Sequence, residues 1–270
     1  MSFDYNVISK YTSQARLKKY EEVCHKDPQR TLKLYQTNLR LSQAFYPVLS
    51  IFEIILRNAL NTELISYFSD PDWLKSQQSG FMNDKSLTFF DKRLKKYIRN
   101  NYLKKNVANV LQKHGSMTPQ DKIVAELNFG FWVALFDPSH YKVLTGKPVA
   151  IFTKIPSGIS RSNIYQRISH IRDFRNRIYH NEPIIFVRDK CGAVNFSLKE
   201  CKSVYKEIND LFNWFDLDFH CWTKRINNIA LEIQRASCMM KYYPKPLYYV
   251  IRIFLGCIHY QNKYIISKIK

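Results

Sequence analysis

The sequence has little glycine, no closely paired cysteines and few acidic residues, and each shortage narrows the possible class of protein. Only 7 of its 270 residues are glycine, whereas all-β folds need many turns and use glycine to make them. The sequence therefore predicts an all-α fold, a helical bundle with one short β-hairpin possible at residues 184–196.

The cysteines and histidines lack the spacing of a metal site. None of the six cysteines belongs to a CxxC pair, and no pair of histidines has zinc-like spacing, so a structural zinc site is not expected. Residues 1–5, Met-Ser-Phe-Asp-Tyr, show no basic start followed by an apolar run, which argues against a secretory signal. We therefore expect an intracellular protein in a reducing compartment, with free thiols, no metal and no cofactor.

No apolar stretch reaches the about 20 residues that a membrane-spanning helix needs. Pro47 and Glu53 interrupt the stretch at residues 44–56, and Arg252 interrupts the shorter stretch at residues 247–260. Both stretches are typical of buried helices, and Pro47 is expected to restart or kink the first. We expect no membrane partner.

Acidic residues are outnumbered by basic ones, 22 against 42, which gives a formal net charge of +20. Such an imbalance costs self-repulsion in the folded state, and a polyanionic partner relieves it. Nucleic acid is the commonest partner of this kind and an anionic membrane the second. A basic protein with no such partner is the remaining alternative.

One stretch rich in basic residues lies at residues 87–112, and we expect it to be helical because apolar residues alternate with Lys and Arg there. No repeat, low-complexity tract or composition shift marks a linker, so residues 1–270 are expected to form one domain. The candidate RNA-binding residues are Lys92, Arg93, Lys95, Lys96, Arg99, Lys104, Lys105 and Arg177.

The most informative segment is residues 171–183, IRDFRNRIYHNEP, at the end of a helix predicted over residues 160–180. At about 100° per residue, Asn176 and His180 are predicted to lie on the same side of the helix, one turn apart. Arg172 lies one turn before Asn176 and extends this column of side chains. Arg175 falls inside the apolar arc, where a guanidinium needs an anionic partner or a solvent-filled cleft. The residues that form this apolar arc are Ile164, Ile168, Ile171, Phe174 and Ile178.

Arg175, Asn176 and His180 are suited to cleaving RNA by means of its own 2′-hydroxyl. The histidine would act as general base or acid, the arginine would stabilise charge on the phosphorane oxygens, and the asparagine would hold the histidine or the phosphate. DNA would resist because it lacks the nucleophile. The alternative is that the short motif has arisen by chance and that His180 merely caps a helix.

Three segments resemble the Abi-like (abortive infection) proteins, a family of the HEPN superfamily. Residues 175–183, RNRIYHNEP, are similar to the family's R-N-R-x-x-H-x-E-P signature. Residues 49–60, LSIFEIILRNAL, resemble its L-x-x-x-E-x-x-L-R-N-A-L helix, and residues 130–136, GFWVALF, its F-W-x-x-L-F segment. The resemblance extends from about Tyr5 to about Phe215 and has the segments in the family's order.

The resemblance implies a HEPN-like helical core at about residues 29–215, followed by a basic helical extension at about residues 216–270. It also implies a cytoplasmic, metal-independent endoribonuclease in phage defence or a toxin–antitoxin-like system, which forms a homodimer with two motifs facing one cleft. Glu53, Arg57 and Asn58 carry over as supporting residues, and Arg172 is a fourth candidate supporting residue. An ion pair between Glu53 and Arg57, four apart on one helix, is the structural alternative.

Two other functions remain open at this point. The chain is alternatively a non-catalytic binding protein for a structured RNA, and its regulator is expected to be an antitoxin RNA or protein. A nucleotidyl- or AMP-transferase is disfavoured, because the sequence has neither a Gly-rich phosphate loop nor paired metal-binding carboxylates.

Overall fold

Helices and two small antiparallel hairpins build the protein, whose computed structural model describes residues 4–215 and 218–242. In these ranges the helices are α1 (Tyr5–Thr12), α2 (Gln14–Val23), α3 (Pro28–Phe68), α4 (Trp73–Ser76), α5 (Tyr102–His114), α6 (Gln120–Glu126), α7 (Phe129–Ala134), α8 (Pro138–Val143), α9 (Arg161–Tyr179), α10 (Lys199–Trp214), α11 (Phe219–Thr223) and α12 (Ile229–Tyr242). The strands are β1 (Thr88–Asp91), β2 (Lys96–Arg99), β3 (Phe186–Arg188) and β4 (Val194–Phe196). The predicted all-α class with a short hairpin is confirmed.

Helix α3 has the apolar spacing of a helix that buries one face. The residues that follow this spacing are all at most 1% exposed: Leu49, Phe52, Leu56, Leu60 and Leu64. Pro47 lies inside the continuous helix and does not divide it.

Among the described helices, α3 alone is long and apolar enough to span a membrane, with a window of mean hydropathy 1.3 of which 39% is buried. A core helix passes the same test.

The described chain divides into two compact units, each assembled from separate segments. The first comprises residues 4–44, 183–202 and 228–242, and the second comprises residues 45–182, 203–215 and 218–227. Both α3 and α10 contribute residues to each unit. The expected single domain stays a prediction.

The first unit is organised around Tyr20 on α2 and Asn38 on α3. The Tyr20 ring is 1% exposed and meets Tyr35 and Phe186 edge-on, with ring centroids 5.3 and 4.8 Å apart. The buried Asn38 side chain accepts the backbone N–H of Ile184 at 2.9 Å. This bond satisfies a backbone donor just before β3 begins. Strands β3 and β4 form the hairpin that was predicted at residues 184–196.

The second unit has an aromatic core between helices. Phe52 meets Phe129 and Phe212 at centroid distances of 6.2 and 5.7 Å. Phe45 meets Phe174 edge-on at 4.8 Å, which joins α3 to the middle of α9. Aromatic pairs of this kind add to the free energy gained by burial. They fix the face that α9 presents to α3.

The expected helix at residues 87–112 is wrong in its first half. Residues 88–99 form the β1–β2 hairpin, with Phe90 opposite Tyr97, and only α5 is helical. The Asp91 side chain accepts the N–H groups of Arg93 and Leu94 at 2.8 and 2.9 Å, which closes the turn. Such local bonds from an aspartate compete with helix formation.

The expected basic extension at about residues 216–270 is covered only in part. Helices α11 and α12 agree with the helical expectation for its first portion. Residues 216–217 and 243–270 lie outside the described residues, as does the apolar stretch at residues 247–260.

Candidate functional site

Helix α9 carries the predicted motif to its C-terminus. Ser160 and Asn163 form a capping box at its start, and the five residues of the predicted apolar arc are all buried. At its end, the backbone N–H of His180 donates to the carbonyl of Asn176 at 2.9 Å. Asn181 then takes a left-handed conformation with φ 54°, which asparagine tolerates well and which ends the helix. Asn176 and His180 are therefore one turn apart in the backbone, and the column of their side chains stays a prediction.

Arg175 has an anionic partner on α3, which explains a guanidinium inside an apolar arc. Its Nη2 lies 2.9 Å from Oε2 of Glu53, and the two side chains are 22% and 14% exposed. Its Nη1 donates to Oδ1 of Asn176 at 3.2 Å. The guanidinium also lies over the ring of Tyr179, 3.8 Å from the centroid, a cation–π contact. Three side chains therefore fix its position.

Tyr179 ties the end of α9 to α3 and was not identified from the sequence. Its ring stacks on Tyr46 at 5.2 Å with an interplanar angle of 21°, and its hydroxyl shares a hydrogen bond with Ser50 Oγ at 3.1 Å. Burial raises the pKa of Tyr179 above its ordinary value of 10.0. The phenol therefore stays neutral at physiological pH.

The spacing of polar and aromatic residues on α3 could have predicted these contacts from the sequence. Tyr46, Ser50, Glu53 and Arg57 follow one another at intervals of three or four residues, so they share one face of α3. Three of the four contact α9 through Arg175 or Tyr179. The face of α3 was therefore as informative as the motif on α9.

The other supporting residues lie on the same two helices but differ in their contacts. Glu53 pairs with Arg175, so the alternative of an ion pair between Glu53 and Arg57 is wrong. Within the described ranges Arg57 forms no ion pair, and its Nε is buried without a hydrogen-bond partner. Asn58 is exposed. Arg172 is bound to its neighbour Asp173, with Nη2 and Oδ1 2.8 Å apart.

His180 is the exposed member of the motif. Its side chain is exposed at the helix end, and within residues 4–215 and 218–242 its imidazole has no hydrogen-bond partner. Asn176 directs its side-chain oxygen to Arg175 rather than to His180. An imidazole in this state is available to exchange a proton with a ligand.

The first half of α9 differs from the motif because two of its basic groups, Arg167 and His170, face acids on α10. Arg167 Nη1 lies 2.5 Å from Asp210 Oδ2, and its guanidinium lies over the Trp214 ring at 5.3 Å. His170 Nδ1 lies 2.8 Å from Glu207 Oε2. These pairs balance the positive charge there, and they join two helices of the second unit.

The candidate RNA-binding residues fall on three elements. Lys92, Arg93 and Lys95 lie in the turn of the β1–β2 hairpin, Lys96 and Arg99 lie on β2, and Arg177 lies on α9. Lys104 and Lys105 lie on α5, where Lys104 donates to Asn83. In the part of the chain that the structure describes, no three His, Cys, Asp or Glu side chains group as metal ligands would.

This fold and site define a class: a helical protein with an R-N-x-x-x-H motif at the end of a core helix, held by a carboxylate from a second helix. The chain belongs to the Abi-like protein family, whose model matches residues 2–185. That membership suggests a part in abortive infection. The match contains all three resembling segments and ends at residue 185 rather than near Phe215, so α10 lies beyond it. No curated protein and no solved structure matches the chain.

Proposed function

We propose that this Abi-like protein is a metal-independent endoribonuclease of the HEPN type that acts in phage defence. The observation that carries the proposal is the state of the two motif residues on α9. The Arg175 guanidinium is fixed by Glu53 and Tyr179, while His180 presents an exposed imidazole with no partner in the described residues. A preorganised positive charge and an unpartnered imidazole on the same helix suit phosphodiester cleavage.

The reaction needs no external reactant beyond RNA. The 2′-oxygen attacks the adjacent phosphorus, and the bond from phosphorus to the 5′-oxygen breaks. The 2′-hydroxyl loses a proton and the departing 5′-oxygen gains one, so the products are a 2′,3′-cyclic phosphate and a 5′-hydroxyl. The His180 imidazole would make one of these transfers.

Arg175 would stabilise the charge that develops on the phosphorane. A guanidinium has five N–H donors, and the contacts with Glu53 and Asn176 use two of them. Of the other three, the Nε–H is buried, which leaves two for a substrate, and the contacts with Glu53, Asn176 and the Tyr179 ring orient Arg175 before substrate arrives. A group positioned in advance loses little free energy to reorganisation during the reaction.

The two proton transfers favour a homodimer. One motif supplies one imidazole, whereas the reaction uses a base for the 2′-hydroxyl and an acid for the 5′-oxygen. A second copy of the chain would bring a second His180 to the same phosphate. An antitoxin RNA or protein would then hold the dimer silent in the cytoplasm.

A second candidate is an RNA-binding protein without turnover. The observation that favours it is the ion pair itself, because the Glu53 carboxylate neutralises part of the charge that Arg175 would offer to a phosphorane. Such a protein would bind a structured RNA tightly and leave it intact, with an affinity that falls as salt rises.

The distinguishing experiment is incubation of the purified protein with total cellular RNA in EDTA, followed by mapping of new ends. The proposal predicts 2′,3′-cyclic phosphate ends, with a loss of roughly 10²- to 10⁴-fold in rate for His180→Ala and roughly 10²- to 10³-fold for Arg175→Ala. His25→Asn, at an exposed histidine in the first unit, is the control and should cut as wild type does. Intact RNA with tight binding would support the second candidate, and unchanged activity in both motif variants would refute the proposed site.

Phage defence is tested separately in cells. Expression of the wild-type protein should lower plaque formation, and His180→Ala should restore it at equal protein level. Equal protection by wild type and His180→Ala would show that phage defence does not depend on His180.

A further inference from the structure

The β1–β2 hairpin exposes large apolar side chains on a surface that also carries high positive charge. The exposed fractions are 46% for Phe89, 49% for Phe90, 53% for Leu94 and 74% for Tyr97. A two-stranded hairpin is only marginally stable in water, and each exposed ring adds to the unfavourable contact with solvent. A ligand that covered these apolar side chains would remove their unfavourable contact with solvent.

The strand register brings two of the rings together. Phe90 and Tyr97 are cross-strand partners, and such partners point to the same face of a hairpin. Their rings meet edge-on, with centroids 5.3 Å apart and an interplanar angle of 66°. Thr88 and Arg99, the partners two residues further along, share that face. The register therefore places two aromatic rings and the base of the Arg99 side chain on one face, and the guanidinium itself donates to Asn83 Oδ1 at 3.1 Å.

The tip of the hairpin supplies the charge. Residues 88–105 contain seven basic residues and a single acid, Asp91, whose Oδ1 is occupied by the N–H groups of Arg93 and Leu94 in the turn. Within the described chain none of the seven forms an ion pair. Lys95 is held in the turn with φ 49°. The charge is therefore available to an outside polyanion.

Rings and charges together favour an unpaired strand over a duplex or a membrane. Basic residues alone would suit a duplex or an anionic membrane equally well. Aromatic rings, in contrast, stack on unpaired bases, and in single-strand-binding proteins basic residues bind the phosphates along the nucleic-acid backbone. This arrangement is typical of surfaces that bind single strands with little sequence preference.

We propose that the β1–β2 hairpin binds single-stranded RNA, with bases stacked on Phe90 and Tyr97 and phosphates bound by Lys92, Arg93 and Lys95. The proposal deepens the proposed function and rests on it, since it assigns the unpaired strand of an RNA substrate to a surface outside the Arg175–His180 motif. Stacking of one base on one ring would change Kd by roughly 5- to 100-fold.

The test is fluorescence anisotropy of a labelled, 2′-O-methylated single-stranded oligouridylate mixed with the full chain. This probe lacks the free 2′-hydroxyl, so binding is measured without cleavage. Tyr97→Val removes the ring but keeps a strand-favouring residue, and Tyr97→Phe keeps the ring and removes only the hydroxyl. Tyr11→Val, at a tyrosine that is 80% exposed on α1, is the matched control.

We expect Tyr97→Val to weaken binding at least about 5-fold, with Tyr97→Phe and Tyr11→Val within 2-fold of wild type. Lys95→Gln should lower the slope of log Kd against log salt by about 0.7. Equal affinity for Tyr97→Val and Tyr97→Phe would overturn the stacking role. Equal binding of a 20-base-pair RNA duplex, or binding of phosphatidylserine vesicles without RNA binding, would overturn the choice of partner.

The two proposals fail in different ways. A protein that binds the oligonucleotide through Tyr97 but never cuts RNA would refute the nuclease and retain the hairpin surface. A protein that cuts RNA through His180 while Tyr97→Val binds as wild type does would retain the nuclease and refute the hairpin surface.

Discussion

Replacement of Glu53 by glutamine tests whether the ion pair with Arg175 holds α9 against α3. Glutamine keeps the size of the side chain and one acceptor oxygen, but the guanidinium loses its negative partner. The pair is 2.9 Å apart, and its side chains are only 14% and 22% exposed. Hydrogen bonds to charged groups contribute about 1.5–3 kcal/mol when desolvated, and breaking a fully buried pair costs about 3–5 kcal/mol. For this partly buried pair we expect a loss of about 2 kcal/mol.

The assay is thermal unfolding followed by circular dichroism at neutral pH. A loss of about 2 kcal/mol should lower Tm by roughly 4–8 °C in a protein of this size. Glu63→Gln is the matched control, since Glu63 lies on the same helix and pairs with Lys147 at 3.7 Å with exposed fractions of 26% and 42%. Exposed pairs contribute less than about 1 kcal/mol, so this variant should unfold within about 3 °C of wild type.

Equal unfolding temperatures for the two glutamine variants would show that the Glu53–Arg175 pair contributes no more than an exposed pair. A double variant with Arg175→Met gives a second check. If the pair is real, Glu53→Gln should cost much less in the Arg175→Met background, because the interaction is already absent. A cost that is equal in both backgrounds would mean that Glu53 acts through some other contact.

Three further predictions concern packing, thiol reactivity and acid stability. Phe174→Ala should cost about 3–5 kcal/mol, since the ring is fully buried against Phe45, and a Tm unchanged from wild type would contradict this packing. Burial raises the pKa of the Cys24 thiol to about 11, so iodoacetamide at pH 8 should label exposed Cys221 well before Cys24 by mass spectrometry; equal rates would refute the burial. Hydrogen bonds from lysines lower the pKa of Glu126 from 4.5 to about 2, so its contribution to stability is present above pH 4.5 and is lost as pH falls towards 2. The Tm difference between wild type and Glu126→Gln should therefore shrink over that range, and a constant difference would contradict the assignment.

The helix that carries the motif was predictable because its local signals agree with one another. The apolar arc through Ile171 and the Asn-Glu-Pro sequence at residues 181–183 both indicate a helix that ends near His180, and the structure has this helix. The partner of Arg175 was not predictable from that segment. Glu53 lies on a distant helix, and only the tertiary fold determines which of the two nearby cations, Arg57 or Arg175, it binds.

The β1–β2 hairpin shows why the other local prediction failed. Phe90, Leu94, Tyr97 and Ile98 fit the spacing of a helix face, and the turn contains no glycine or Asn-Gly pair to mark it. The turn is closed by the Asp91 side chain instead. Because neither face of the hairpin is deeply buried, the apolar pattern described a surface rather than a core.

The proposed cleavage of RNA by Arg175 and His180 depends on the RNA's own 2′-hydroxyl, so removal of that one hydroxyl is a direct test. A short RNA that the protein cuts at one mapped bond is resynthesised with one 2′-deoxy nucleotide on the 5′ side of that bond, and both are incubated with protein in EDTA. We expect cleavage at the substituted bond to disappear while the unmodified RNA is still cut. Continued cleavage next to the deoxynucleotide would contradict it.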